Sequence, residues 1–120
     1  MAKAIRMLRT GGPEVMEYVD VEVGAPGPGE ARVRQAAIGV NFIDVYFRTG
    51  LYPNPLPAGL GKEGAGVVEA VGEGVTEVAV GDRVAYAGGP NGAYAEVRNM
   101  PASVLVRLPE LDFIDDKAGK

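Results

Sequence analysis

Short apolar segments recur along the chain about every ten residues, with glycine and proline clusters between them. This spacing is typical of an all-β barrel or sandwich, whose strands are joined by tight turns. Strands and helices do not alternate in the way that predicts a doubly wound parallel sheet. The pattern therefore predicts a mainly β domain, with strands at residues 2–8, 16–23, 30–38, 64–71, 82–87, 93–98 and 104–108.

The strand predicted at residues 30–38 shows the clearest alternation. Side chains of a strand point in turn to its two faces, so Ala31, Val33 and Ala37 fall on one side. Arg32 and Arg34 fall on the other side. We therefore expect one face of this strand to meet the interior and the other to meet water.

The segment between Asn41 and Gly50 carries the signals of a helix. Asn41 is a favoured N-cap residue, and Gly50 is placed for the C-terminal cap. Asp44 brings a carboxylate to the positive end of the helix and is spaced for an i,i+4 ion pair with Arg48. The sequence predicts a short, well-capped helix here.

Apolar residues cover nearly the whole circumference of this helix. It is therefore expected to be buried on more than one side or to face a cleft. The residues alone leave two interpretations open: Asn41 and Tyr46 are a helix cap and a packed core residue, or they line a site for a flat ligand. The apolar residues are Phe42, Ile43, Val45, Tyr46 and Phe47.

The composition excludes several classes of function. The net charge is −4, and the twelve basic residues are scattered among sixteen acidic ones, so no basic stripe for nucleic acid is present. No apolar run has the length of a membrane span, and we expect a cytoplasmic protein. With no cysteine and no histidine, the chain has no disulfide, no thiolate nucleophile and no imidazole base or metal ligand.

Four motifs follow one another in the sequence: GVNFIDVYFRTGLYP, GLGKEGAGVVEAVGEGV, VGDRVAY and GAYAEV. In this order they resemble the N-terminal, GroES-like catalytic domain of the medium-chain dehydrogenase/reductase superfamily. Within it, the chain is most similar to the zinc-free NADPH:quinone oxidoreductases, the zeta-crystallin-like branch. The resemblance covers residues 2–108 and implies a GroES-like, partly open β-barrel with one or two short helices.

The resemblance also bears on the missing cysteine and histidine. In the zinc-dependent alcohol dehydrogenases of this superfamily, a cysteine ligand stands at the position of Asn41 and a histidine ligand at that of Lys62. Lys62 is a cation that repels Zn²⁺, and Glu63 alone cannot supply the three ligands of a catalytic zinc. The resemblance thus implies no metal, and we expect Glu63 to accept hydrogen bonds from the backbone or a basic neighbour.

By this resemblance, Asn41 and Tyr46 are the catalytic residues and contact the nicotinamide of NADP(H). Tyr52 and Phe42 are expected to line the pocket of a small-molecule quinone. Hydride transfer between two flat rings needs no protein nucleophile. The resemblance implies that the protein aligns the rings, excludes water and donates hydrogen bonds to the quinone oxygens.

The resemblance divides the chain into a substrate-side catalytic domain at residues 1–110 and a tail at 111–120 that is similar to the start of a linker to a Rossmann domain. Gly72 and Gly74 lack the spacing of a dinucleotide-binding turn. We therefore expect a truncated or excised domain that is inactive and binds no NADP(H) by itself. The alternative is a stand-alone GroES-like binding or self-assembling module, which forms homo-oligomers through exposed apolar surface.

Overall fold

The computed structural model describes residues 2–109, which form eight β-strands, one α-helix and two short 3₁₀ turns. The tail predicted at residues 111–120 lies outside this range. The prediction of a mainly β fold is confirmed. The strands are β1 (Ala2–Met7), β2 (Met16–Val21), β3 (Glu30–Gly39), β4 (Ala58–Gly59), β5 (Glu63–Val71), β6 (Arg83–Ala87), β7 (Val97–Pro101) and β8 (Val106–Arg107); the helix α1 is Phe42–Thr49, and the 3₁₀ turns are Pro13–Val15 and Ala102–Val104.

The strands form two antiparallel sheets. A three-stranded sheet has the order β2-β1-β4, and a five-stranded sheet has the order β7-β3-β5-β6-β8. Ala4 in β1 forms an isolated bridge with Ala95, just before β7, which brings the two sheets together. The sheets do not close into a barrel, in agreement with the partly open architecture that we predicted.

The pairing of β3 with β5 contains a bulge. The register passes from Gln35 directly to Ala37, so Ala36 has no partner on β5. A bulge shifts the alternation of side chains by one residue. Ala31 and Val33 are completely buried, whereas Ala37 is exposed. The prediction that all three share one face is therefore wrong at Ala37.

The buried apolar residues form two clusters. The larger cluster lies on the five-stranded sheet and includes Val33, Val68, Val84 and Met100. The smaller one consists of Met7, Val15, Ala58 and Leu60. Helix α1 has only one apolar residue, Phe47, that packs against either cluster. Of the other apolar residues of α1, Phe42 is 85% exposed and Ile43, Val45 and Tyr46 are 36–40% exposed, so part of the apolar surface of the helix is open to a ligand or a partner.

Two predicted strands differ from the structure. The strand predicted at residues 93–98 begins only at Val97, because the preceding segment bonds to other parts of the chain. The amide of Tyr94 donates to the carbonyl oxygen of Leu60, and the amide of Ile5 donates to that of Tyr94. Of the strand predicted at 104–108, only Val106–Arg107 form a strand, β8, and Val104 is the last residue of the 3₁₀ turn before it.

The strand β4 was not predicted, since two residues carry no alternating pattern. The other five predicted strands agree with the structure to within two residues at each end. In the described part of the chain, no helix is both long enough and apolar enough to cross a membrane.

Candidate active site

Helix α1 begins and ends where the sequence predicts. At the N-cap, Asn41 has an extended backbone (φ −132°, ψ 155°), and its N–H donates a hydrogen bond of 3.1 Å to Oδ2 of Asp44. At the other end, Gly50 has φ 91°, in the left-handed region that favours glycine. These caps fix the direction in which the helix presents its side chains.

Asp44 is buried, with 4% of its surface exposed. Its Oδ2 accepts a hydrogen bond of 2.6 Å from the Tyr94 hydroxyl, whereas its Oδ1 has no hydrogen-bond partner among residues 2–109. Burial is the largest of three effects that raise the pKa of Tyr94 well above its ordinary value; the others are the hydrogen bond to Asp44 and the negative charge of Asp44. The positive charge of Arg48 lowers this pKa. The ion pair predicted between Asp44 and Arg48 is wrong, because Nε of Arg48 donates instead to the carbonyl oxygen of Gly11.

The structure brings Asn41 together with the neighbouring residues Lys62 and Glu63, about twenty positions further along the chain, around one open cavity of about 390 Å³. Nδ2 of Asn41 donates a hydrogen bond of 2.9 Å to Oε1 of Glu63. Glu63 thus accepts a hydrogen bond as expected, although from a side-chain amide and not from the backbone or a basic group. The cavity is lined by Asn41, Ile43, Lys62, Glu63, Ala87 and Gly88.

Aromatic rings continue from this cavity along α1. Nζ of Lys62 lies 5.0 Å from the centre of the Phe47 ring. The ring centres of Phe47 and Tyr52 are 5.6 Å apart, and those of Tyr52 and Tyr46 are 5.5 Å apart, with both pairs packed edge to face. We call Phe47, Tyr52 and Tyr46 the aromatic row. Tyr46 and Tyr52 are 40% and 42% exposed, so a ligand can reach both rings.

The residues predicted for the site take different positions. Tyr46 and Tyr52 contact each other in the aromatic row, and Asn41 borders the cavity that adjoins it. Phe42 is 85% exposed and has no ring contact with the row. The catalytic, cofactor-binding and substrate-binding roles of these four residues stay predictions.

Sequence reasoning assigned no role to Phe47 and Tyr94. Phe47 links the aromatic row to Lys62, and Tyr94 fixes the first turn of α1 through Asp44. Tyrosine is common in strands, so nothing in the predicted strand distinguished Tyr94 from ordinary packing. The glycine-rich turn after β6, which includes Gly89, is visible in the sequence, but its contact with Lys62 is not.

The donor groups around Asn41 do not fit a zinc site. Within residues 2–109, no group of three or more His, Cys, Asp or Glu side chains could hold a metal ion. The cavity offers one carboxylate, Glu63, and one amide oxygen, and it also contains the Lys62 ammonium. This donor set lacks the three ligands that a catalytic zinc requires.

Comparison with known proteins gives the family. The model of the alcohol dehydrogenase GroES-like domain matches residues 27–110. The quinone oxidoreductase of Pseudomonas aeruginosa is 60% identical over 94% of this chain, and that of Salmonella typhimurium is 50% identical over 99%. The chain covers 35% and 37% of these two proteins, so it spans about a third of their length.

Solved structures lead to the same family. The quinone oxidoreductase of Pseudomonas syringae pv. tomato superposes with a TM-score of 0.88 at 62% identity, over 92% of this chain and 34% of that one. The Escherichia coli quinone oxidoreductase in complex with NADPH superposes with a TM-score of 0.86 at 47% identity, over 89% of this chain and 33% of that one. The chain belongs to the alcohol dehydrogenase GroES-like domain family, in the quinone oxidoreductase branch of the medium-chain dehydrogenase/reductase superfamily.

Proposed function

We propose that this chain is the substrate-side domain of an NADPH-dependent quinone oxidoreductase. The observation that carries the proposal is the cavity of Asn41 and Lys62 with the aromatic row beside it. Aromatic rings pack well against a flat conjugated ligand, and amide and phenol groups bind its oxygens. The quinone oxidoreductases among its relatives support this choice of ligand.

The side chains present fit the nicotinamide end of NADPH. Asn41 uses one of its two amide N–H groups for Glu63, and its amide oxygen accepts the backbone N–H of Asp44 in the capping box. The second lone pair of that oxygen can accept a hydrogen bond from the nicotinamide carboxamide, which leaves the other N–H for a second ligand. The Tyr46 hydroxyl has no hydrogen-bond partner within residues 2–109, and the ring is 40% exposed. Asn41 and Tyr46 would hold the nicotinamide, and NADPH would supply the hydride.

The chain itself contributes orientation and exclusion of water. The caps of α1 fix Asn41, and the edge-to-face contacts fix the rings of Tyr46 and Tyr52. Fixed side chains hold a quinone in one pose, and much of the acceleration of a two-ring reaction comes from such alignment. The apolar side chains of Ile43 and Phe47 keep water from part of the wall.

One observation favours a second function, a stand-alone binding or self-assembling module. Val40, Phe42 and Leu51 are 80%, 85% and 66% exposed, and exposed apolar surface often marks a contact with another molecule. Light scattering over a range of chain concentrations separates the two functions. A stable oligomer that buries Phe42 would favour the module, whereas a monomer would favour the enzyme domain.

A hybrid enzyme tests the catalytic proposal. In this hybrid, the chain replaces the matching third of the Pseudomonas aeruginosa quinone oxidoreductase. We expect the folded hybrid to oxidise NADPH when a quinone is added and the isolated chain to be inactive. A folded hybrid without quinone-dependent oxidation would contradict the proposal, and activity of the isolated chain would contradict the assignment of a substrate-side domain.

A further inference from the structure

Among the described residues, Lys62 has no ionic partner. None of the ion pairs formed within residues 2–109 includes it, although Glu63 is its neighbour in sequence. Its Nζ donates a hydrogen bond to the carbonyl oxygen of Gly89 and lies over the Phe47 ring. Both contacts leave the positive charge without a neutralising carboxylate.

The Lys62 ammonium has donors to spare. It carries three N–H groups, and the described residues provide one acceptor, Gly89. Lys62 lines the same cavity as Asn41, whose amide has a second N–H beyond the one bonded to Glu63. The cavity therefore combines the Lys62 ammonium, which has no carboxylate partner among the described residues, with the free amide N–H of Asn41.

We propose that Lys62 and Asn41 form an oxyanion site that holds the phenolate oxygen of the reduced quinone. This inference rests on the proposed function, because it names the group that stabilises the product of that reaction. An ammonium beside an apolar ring interacts strongly with an anion, since it is already partly removed from water. The whole chain has a net charge of −4, which disfavours anions in general. A preference for an anion would therefore come from the local groups of this site.

The step is balanced as follows. The quinone gains a hydride, that is one proton and two electrons, and NADPH is oxidised to NADP⁺. The reduced ring then carries one hydroxyl and one phenolate oxygen. Hydrogen bonds from Lys62 and Asn41 stabilise that phenolate until it takes a proton from water. Interactions that strengthen as the charge develops accelerate the reaction, whereas equal binding of quinone and product would not.

The competing explanation gives Lys62 a purely structural role. In that case its hydrogen bond to Gly89 only fixes the turn after β6, and replacing the ammonium changes stability but not the preference for an anion. Lys3 is a matched control. It is also a lysine over an aromatic ring, 5.3 Å from the centre of Tyr18, but it is paired with Asp20 and lies away from the cavity.

The test uses the 120-residue chain and 4-nitrophenol, whose phenol and phenolate forms differ in absorbance. We expect the phenolate to bind more tightly than the phenol, so that the pKa of the bound probe is lowered. Lys62→Met should weaken phenolate binding at least about fivefold, and Lys62→Arg should retain most of it. Lys3→Met should have no effect. If Lys62→Met does not fold, NMR shifts of the Lys62 side chain on addition of phenolate provide the same information.

Equal affinity for the two forms of the probe would overturn the inference, as would an equal loss of binding in Lys62→Met and Lys3→Met. Phenolate binding without shifts at Lys62 would overturn it too. The proposed function fails separately, when the hybrid enzyme does not oxidise NADPH with quinone. An active hybrid without phenolate preference would leave the proposed function standing and reject the role of Lys62.

Discussion

The hydroxyl of Tyr94 donates a hydrogen bond of 2.6 Å to Oδ2 of Asp44, a buried carboxylate in the first turn of α1. The same oxygen accepts the backbone N–H of Asn41. This pair ties the start of the helix to the segment before β7, which is itself bonded to β1. The position of Asn41 in the candidate site therefore depends on a contact between residues fifty positions apart.

Tyr94→Phe should destabilise the domain by about 1.5–3 kcal/mol at neutral pH, because it removes a hydrogen bond to a buried carboxylate whose other oxygen has no partner in the described part of the chain. Urea denaturation measures the change. Tyr18→Phe is the control, since Tyr18 is 68% exposed and Asp44 accepts its phenol hydrogen bond from Tyr94 instead. An equal, small effect of both substitutions would contradict the structural role of Tyr94.

The raised pKa of Tyr94 also predicts a dependence on alkaline pH. Its folded-state pKa exceeds that of the unfolded chain, about 10, so its contribution to stability is complete below pH 10 and is lost as the pH rises further. The loss attributable to one phenol is at most about 1.4 kcal/mol per pH unit. Tyr94→Phe should therefore flatten the fall in stability above pH 10, and an unchanged slope would contradict the assignment.

Asn41→Asp tests the contact between Asn41 and Glu63. Aspartate is as good an N-cap as asparagine, so the helix cap is kept. The new carboxylate would face Glu63 and lose the hydrogen bond of 2.9 Å, which should cost about 0.5–1 kcal/mol at neutral pH. The double variant Asn41→Asp, Glu63→Gln should recover most of this loss. Additive effects of the two substitutions would show that the side chains do not interact.

The sequence was sufficient to predict those features that depend on residues close together in the chain. The caps of α1 at Asn41 and Gly50 follow from local backbone preferences. The alternation in β3 predicted the burial of Ala31 and Val33, because one face of a strand meets the core. The family resemblance, carried by four ordered motifs, was confirmed by the match to the GroES-like domain.

Features that depend on distant contacts could not be predicted in this way. The bulge at Ala36 places Ala37 on the opposite face from the one predicted. The sequence of β3 does not show this bulge, because it depends on the register with β5. Asp44 had a local partner at the right spacing, Arg48, yet its side chain bonds to the half-buried Tyr94, which no sequence pattern identified. The contact of Lys62 with the turn after β6 depends on tertiary structure in the same way.

We predict that the purified domain contains far less than one zinc ion per chain, because Asn41 and Lys62 replace the ligands of the zinc-dependent relatives and Glu63 remains alone. Elemental analysis after purification without chelators measures this. The double variant Asn41→Cys, Lys62→His is a positive control, which should gain zinc by providing two ligands beside Glu63. Stoichiometric zinc in the unmodified domain would contradict the prediction.

Tyr46→Phe in the hybrid enzyme should lower quinone-dependent turnover roughly ten- to a hundredfold, about 1–3 kcal/mol, if its hydroxyl orients the cofactor or the quinone. The melting temperature should not change, because the hydroxyl has no partner within residues 2–109 and the ring volume is kept. Tyr18→Phe again provides the control. Unchanged turnover in Tyr46→Phe would make this tyrosine a packing residue only.

The central claim is that α1 and the start of β5 form the quinone-facing wall of this domain. An NMR titration of the isolated chain with duroquinone tests it most directly, since the methyl groups of this quinone prevent addition to lysine side chains. The account predicts shifts of Asn41, Tyr46, Tyr52 and Lys62 that saturate together, with Tyr18 unaffected. Shifts confined to other parts of the molecule, or no shifts up to the solubility limit of the quinone, would contradict it.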